Sequence, residues 1–268
     1  MSRLDTGPTP ADLADVYDGL AEGWDADARQ VYGPLARTLV ASSPISLRGR
    51  LVLDAGSGTG AVAAAAAAAG AQVIAADRAE GMLAHQGTRR WPVVVTDARA
   101  LSIAGATFDA ALSGFLVNHL EPVAALVELA RVVRPGGAVV ATTWAAGTDV
   151  VKAAVDAVIS AHGWVRPAWY QAMRAEVDRI TGVAEGLAAA AEEARLSDVV
   201  ASVQHPDLGV RDAAVLVAYR LSLPHVAPWV AGLGRTARAT VTNAACAAVA
   251  PHIEAWRPAV IVLTGRVS

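Results

Sequence analysis

Three glycines, Gly56, Gly58 and Gly60, stand at alternate positions directly after the apolar run Leu51-Val52-Leu53, and aspartates follow at positions 77 and 97. Glycine accepts positive φ and carries no Cβ, so a turn built on these three brings backbone N–H groups close to a ligand. The nearly pure alanine run 61–69 then opens a helix, and free N–H groups at a helix start attract an anionic or carboxylate-bearing ligand. Asp77 lies 17 residues after Gly60, at the end of a second apolar run, where it can accept two hydrogen bonds from ribose hydroxyls. Asp97 ends a third run, and the N–H of Ala98 beyond it can face an adenine edge. Part of this pattern also fits a dinucleotide fingerprint. That motif, G-x-G-x-x-G, puts its third glycine at position 61, which is Ala61 here. Asp54, two places before the first glycine, adds a carboxylate able to brace the N–H groups of the turn.

These residues need a scaffold of strands that end together. Leu51-Val52-Leu53, Gln72-Val73-Ile74-Ala75-Ala76, Val93-Val94-Val95, Phe108 to Ser113 and Ala138 to Thr143 are short apolar runs that suit strands buried on both faces. Helices alternate with them: 61–69, a short one near 81–87, and 122–134, which Pro122 opens and Pro135-Gly136-Gly137 closes. Strand–helix alternation with right-handed crossovers demands a parallel sheet covered on both faces. Such a sheet binds ligands at the C-terminal ends of its strands, where the glycines and aspartates fall. Residues 11–42 read as helical, and Thr148 is placed to cap a helix carrying Val151, Val155, Val158 and Ile159. Residues 183–195 are helical again, 199–203 strand-like, 211–256 largely helical, and 259–264 a final strand.

At this point the chain resembles the class I S-adenosylmethionine (SAM)-dependent methyltransferases. Residues 51–60 match their first motif, Asp77 their ribose-binding acid and Asp97 the acid that meets the adenine amino group. Phe108-Asp109 matches their fourth motif, and Leu129 to Gly137 resembles the helix and turn before their fifth strand. The resemblance spans about residues 50–145. It implies a doubly wound α/β fold: a mostly parallel seven-stranded sheet with an antiparallel strand near the end and helices on both faces. It also implies that Asp54, Gly56, Gly58, Asp77, Arg78, Asp97 and Ala98, with backbone atoms near Ser113 and Gly114, hold the cofactor. Three parts follow: a helical cap over residues 1–45, a cofactor-binding core over 46–145, and a part over 146–268 carrying a helical lid and the last strands.

The acceptor side is written less clearly. His119, just beyond the fourth strand, faces the methyl in the resembled family and is the candidate base; the plainer role is shaping the cofactor pocket. Tyr17 and Trp24 resemble a segment that covers the site in relatives, Tyr17 as a second catalytic candidate, although a helix pair also needs such staples. Seven Trp stand against two Phe, and Trp144, Trp164, Trp169, Trp229 and Trp256 fall in the less regular half. Indole faces suit flat or cationic ligands. Trp169 is the acceptor-site candidate among them, and anchoring helices is the alternative for each. Arg220 and His225, with Arg235 and Arg238, suggest a grip on an anionic acceptor such as a carboxylate or a prenyl diphosphate. The alternative is an amphipathic helix with solvated arginines. Magnesium is expected only if the acceptor carries a diphosphate.

With 268 residues, 54% hydrophobic and 18% charged, the chain is long enough to bury a full core. The net charge of −3 and the lack of a dense basic run disfavour nucleic acid. The single Cys246 excludes an intrachain disulfide and a cysteine-built zinc site, and fits a cytoplasmic setting. No His/Asp/Glu cluster shows metal-ligand spacing. A mean hydropathy of +0.39 comes mostly from alanine and valine, in runs short of the roughly 20 residues a spanning helix needs. No secretory signal is read in the first ten residues. The expectation is therefore a bacterial, cytoplasmic, monomeric or homodimeric methyltransferase that acts on O, N or C of a small molecule in specialised metabolism. The alternatives are a SAM-binding enzyme that catalyses a cyclisation or rearrangement, a nicotinamide-dependent oxidoreductase, which Ala61 disfavours, and a SAM-binding sensor without catalysis.

Overall fold

The computed structural model describes residues 13–86 and 91–268, so the reading of the extreme N-terminus lies outside the described residues. Two helices come first, α1 (Leu13–Asp18) and α2 (Ala21–Ala41). The core follows as β1 (Leu51–Ala55), α3 (Ala61–Ala68), β2 (Gln72–Asp77), α4 (Glu80–Ala84), β3 (Val93–Val95), β4 (Phe108–Gly114), α5 (Pro122–Val132) and β5 (Val133–Trp144). The remainder is α6 (Val150–Ala161), α7 (Ala168–Ile180), α8 (Ala184–Glu193), β6 (Leu196–Gln204), α9 (Ala213–Leu221), α10 (Ala227–Ala231), α11 (Arg235–Val249) and β7 (Val260–Val267).

The strands form one seven-stranded sheet in the order β3-β2-β1-β4-β5-β7-β6. β1 to β5 pair in parallel, and β7 inserts antiparallel between β5 and β6. The expected doubly wound architecture is therefore present. The order reverses between β1 and β4, and a crevice opens there at the carboxyl ends of the strands. Alternation along the strands supplies both faces. Val52, Ala110, Leu112 and Val140 pack under α2 and α3, while Leu53, Ala111 and Val139 pack under α5 and α8. Ala63 and Ala66 of α3 are fully buried; their small side chains let this helix lie close on the sheet.

Asp109 ties the opposite end of the sheet together. Its Oδ2 accepts from the N–H of Leu51 at 2.9 Å, and its Oδ1 accepts from Arg134 at 3.1 Å. This holds β1, β4 and β5 in register at the end away from the glycine turn.

Several boundaries differ from the sequence reading. The helix expected over 122–134 stops at Val132, and Pro135-Gly136-Gly137 lies inside β5 instead of ending the helix. Gly136 takes a φ of +79°, and a Cβ on Gly137 would stand 2.6 Å from the Asp109 carbonyl oxygen. The pair thus permits the irregular pairing between Phe108 and Ala110 through which helix passes directly into strand. The cap of α6 is Asp149, not Thr148: its Oδ1 accepts from the N–H of Lys152 at 2.9 Å. β7 begins at Val260 and runs to Val267. Helix α7 had no counterpart in the sequence reading. No helix among the described residues is long and apolar enough to cross a membrane.

Candidate active site

The glycine turn is fastened to β2 by two hydrogen bonds. The N–H groups of Gly56 and Ser57 both donate to the carbonyl of Ala76, at 2.8 and 3.0 Å. Gly56, Gly58 and Gly60 have φ of +68°, +51° and +84°, and Gly60 directly precedes α3. Their tasks differ. A Cβ on Gly56 would lie 2.7 Å from Cβ of Leu116, whereas one on Gly58 would meet no protein atom within 4 Å. Gly56 serves the fold, and Gly58 opens on a cavity of about 510 Å³.

Asp77 reaches across from β2. Its Oδ2 accepts from the N–H of Gly58 at 2.7 Å and its Oδ1 from that of Ala79 at 2.9 Å. Burial pushes its carboxyl up, and the N–H donors oppose that shift. Arg78, Asp97 and Ala98 line the same cavity. The Asp97 carboxylate is engaged by Arg99 at 2.5 Å and faces Arg78 at 3.7 Å; the Arg99 hydrogen bonds hold its carboxyl below the usual range.

Asp54 and Ser113 do not line the cavity, contrary to their expected place among the cofactor contacts. Asp54 is fully buried behind the turn. Its Oδ2 accepts from the N–H of Ala63 at 2.7 Å, so it braces the first turn of α3 and not the glycine turn itself. Its Oδ1 has no partner, and burial, reinforced by Asp77, pushes its carboxyl up to about 7. Ser113 is buried in β4 with its hydroxyl unpartnered; the chain presents Gly114 to the cavity in its stead.

The cavity fits an adenosyl ligand. Its volume lies in the range of small-molecule sites. Asp77 offers carboxylate oxygens at the β2 end, Gly58 leaves space for close backbone approach, and Met82 and Leu101 supply an apolar wall.

A second cavity, of about 590 Å³, adjoins the first. Tyr17, Tyr32, Phe115 and His119 line both. Phe115, immediately after β4, holds a φ of +64°, a conformation a bulky residue adopts only where its surroundings enforce it. It stacks on Trp144 with ring centroids 4.6 Å apart, and Tyr32 meets it edge-on at 5.3 Å. Trp24 stacks on Tyr32 at 5.5 Å and stands edge-on to Tyr17. Both rings of this N-terminal pair therefore reach the site.

His119 and Tyr17 are neighbours, with centroids 6.2 Å apart. Burial pushes the His119 imidazole down to about 4 and the Tyr17 phenol well up. At neutral pH both are uncharged, and His119 Nδ1 has no partner. As a base His119 is weak, because its pKa lies far below neutral pH.

Trp169 and His225 line the second cavity. His225 stacks on Tyr170 at 3.6 Å, and burial with nearby arginines pushes its imidazole down to about 2. The arginine grip is not formed as expected. Arg220 is buried and committed to Asp156, with Nε and Nη2 donating at 2.7–2.9 Å, while Arg235 and Arg238 are exposed on α11 and line neither cavity. The residues that the sequence reading missed are Tyr32, Phe115, Lys152, Asp156 and Tyr170. One signal for them was available: Lys152 is the only lysine in the chain.

Comparisons with known proteins agree on one fold, and the sequence matches name methyltransferases. Residues 53–141 match the methyltransferase-domain family. The chain is 32% identical over 209 residues to a demethylmenaquinone methyltransferase of Mycolicibacterium paratuberculosis, covering 75% of this chain and 88% of that protein. Among solved structures it is similar to the (4+2)-cyclase SpnF, with a TM-score of 0.59 at 19% identity, covering 99% of this chain and 98% of that one. It is also similar to a phosphoethanolamine N-methyltransferase of Haemonchus contortus solved with S-adenosylhomocysteine. There the TM-score is 0.56 at 14% identity, covering 92% of this chain but only 59% of that protein.

Proposed function

The chain belongs to the class I SAM-dependent methyltransferases, and from that premise we propose that it methylates a flat small molecule with polar substituents, seated in the 590 Å³ cavity. The observation that carries this reading is the wall shared by the two cavities, formed by Tyr17, Tyr32, Phe115 and His119. An acceptor in the second cavity then abuts a donor in the first. In this division the core between β1 and α5 with α2 closing over it holds the donor, and the part after β5 encloses most of the acceptor chamber.

Bound in the first cavity, SAM supplies an electrophilic methyl group on a sulfonium. The chain's own residues do the rest by position. Asp77, Arg78, Asp97 and Ala98, with the backbone at Gly56 and Gly58, hold the donor, while Asp54 stiffens the helix start behind it. Phe115, Trp144 and Tyr32 form an aromatic face that orients a flat acceptor and excludes water. His119 and Tyr17, both uncharged, orient the acceptor at the junction by hydrogen bonding. Trp24 and Trp169 close the chambers, and Arg220 with His225 shapes the far wall. A diphosphate acceptor, and magnesium with it, is disfavoured because Arg166 and Arg220 are already paired with Asp156 and Arg174 with Asp178.

Incubation with SAM and a panel of hydroxylated aromatic compounds tests the reading. The expected result is acceptor-dependent release of S-adenosylhomocysteine matched by a methylated product. Product formation without S-adenosylhomocysteine release would point instead to a rearrangement.

A further inference from the structure

Wherever else this chain uses a long cationic side chain it uses arginine, 21 times in all; its one lysine, Lys152, lies on the wall of the acceptor cavity. An arginine stays charged in any protein setting, whereas a lysine can lose its proton when desolvated. The neighbours of Lys152 sharpen the contrast. Every arginine lining this cavity has an acidic partner: Arg166 and Arg220 pair with Asp156, Arg174 with Asp178, and Arg257 with Asp207. Asp149 is also committed, one oxygen to the N–H of Lys152 and the other to Trp256 Nε1 at 3.0 Å. Lys152 Nζ forms no ion pair among the described residues. It stands 3.9 Å over the ring of Trp144, the same indole that stacks on Phe115 at the junction with the donor cavity.

We propose that Lys152 is the acceptor-binding group of this enzyme and holds the ionised oxygen of a phenol- or enol-type acceptor laid against the Trp144 face. The proposal rests on the acceptor-cavity reading above. Its chemistry balances within the site. The neutral amine takes the proton from the acceptor's O–H, the O–H bonding pair stays on oxygen, and an ammonium–oxyanion pair results. The oxyanion pushes electron density to its own oxygen or to the adjacent ring carbon, and either is then nucleophilic enough to accept a methyl group. Desolvation brings the neutral amine within reach, pushing Lys152 down to about 8. Arg220 of α9 and Arg174 of α7 act in the same sense, and Asp149, the cap of α6, and Asp156 within it oppose it. A buried ammonium without a counter-ion is costly to keep; an acceptor oxyanion supplies the missing partner.

The test uses two probes of equal shape, 4-nitrophenol and 4-nitrotoluene, titrated calorimetrically into the S-adenosylhomocysteine-loaded protein. A second readout is the visible absorption that nitrophenol shows only as its anion. Wild type is expected to prefer nitrophenol by about tenfold, the scale of one charged hydrogen bond, and to bind it as the anion at a pH where the free probe is mostly neutral. Lys152→Met should lose both the preference and the anion band while keeping its affinity for S-adenosylhomocysteine. Lys152→Arg, which keeps the charge, should retain the band. Equal binding of both probes, or a band that survives in Lys152→Met, overturns the role of Lys152 and leaves the cavity reading standing. Failure of wild type to bind either probe overturns the cavity reading, and the role of Lys152 with it.

Discussion

Gly56→Val is expected to destabilise the protein by about 2–5 kcal/mol and to remove measurable S-adenosylhomocysteine binding. Two costs add. A residue with a Cβ in the left-handed conformation costs roughly 1–2 kcal/mol, and forcing extra atoms into a packed site costs about 1–3 kcal/mol more. Both apply here, because φ is +68° and the new Cβ meets Leu116 at 2.7 Å. Any relief must move the two N–H groups that pin the turn to Ala76. Gly58→Ala separates fold from ligand. It bears only the backbone cost, since its Cβ meets no protein atom, yet it occupies space the donor needs. Thermal unfolding and calorimetry on the pair should show Gly56→Val losing stability and binding together, and Gly58→Ala losing mainly binding. A Gly56→Val protein as stable as wild type would contradict this account of the turn.

Asp54 gives the second large effect, on the ligand-free protein. Its carboxyl titrates near 7 in the fold and near 4 in an unfolded chain. Between those values the native state keeps a proton that the unfolded state has released, so stability falls as pH rises through this window. The loss is about 1.4 kcal/mol per unit, or roughly 4 kcal/mol in all, absent below pH about 4 and complete above pH about 7. Asp54→Asn keeps an oxygen for the Ala63 N–H and cannot ionise. Its stability relative to wild type should therefore climb from pH 4 to 7 and then level off, on top of a constant offset from the unpaired amide. Denaturant unfolding of both proteins across this range measures the difference; parallel profiles would show that Asp54 is not held protonated.

Much of the donor half was legible because its signals are local. A buried strand announces itself as a short apolar run, and its ligand-side end as an aspartate or a glycine turn a few residues on. The acceptor half depends on contacts that sequence distance hides. Arg220 reads as a free cation until Asp156, 64 residues earlier, is brought against it. Asp97 is nearly local, yet Arg99 two residues on takes its carboxylate in a way that spacing alone does not reveal. Helix α7 escaped notice because charged residues interrupt its apolar positions, Trp169 and Met173 among Arg174, Asp178 and Arg179. Lys152 directly follows the buried Val151 on α6, and only the fold shows that its ammonium group meets Trp144 at the end of β5.

The turn at 56–60 and Asp77 at the end of β2 together form the proposed seat of SAM. Calorimetric titration of S-adenosylhomocysteine into wild type and folded Asp77→Ala tests it most directly. Wild type should bind at one site, and Asp77→Ala should bind about 10–100-fold more weakly, as expected for lost hydrogen bonds to a charged group. Equal affinity in the two proteins would contradict the assignment.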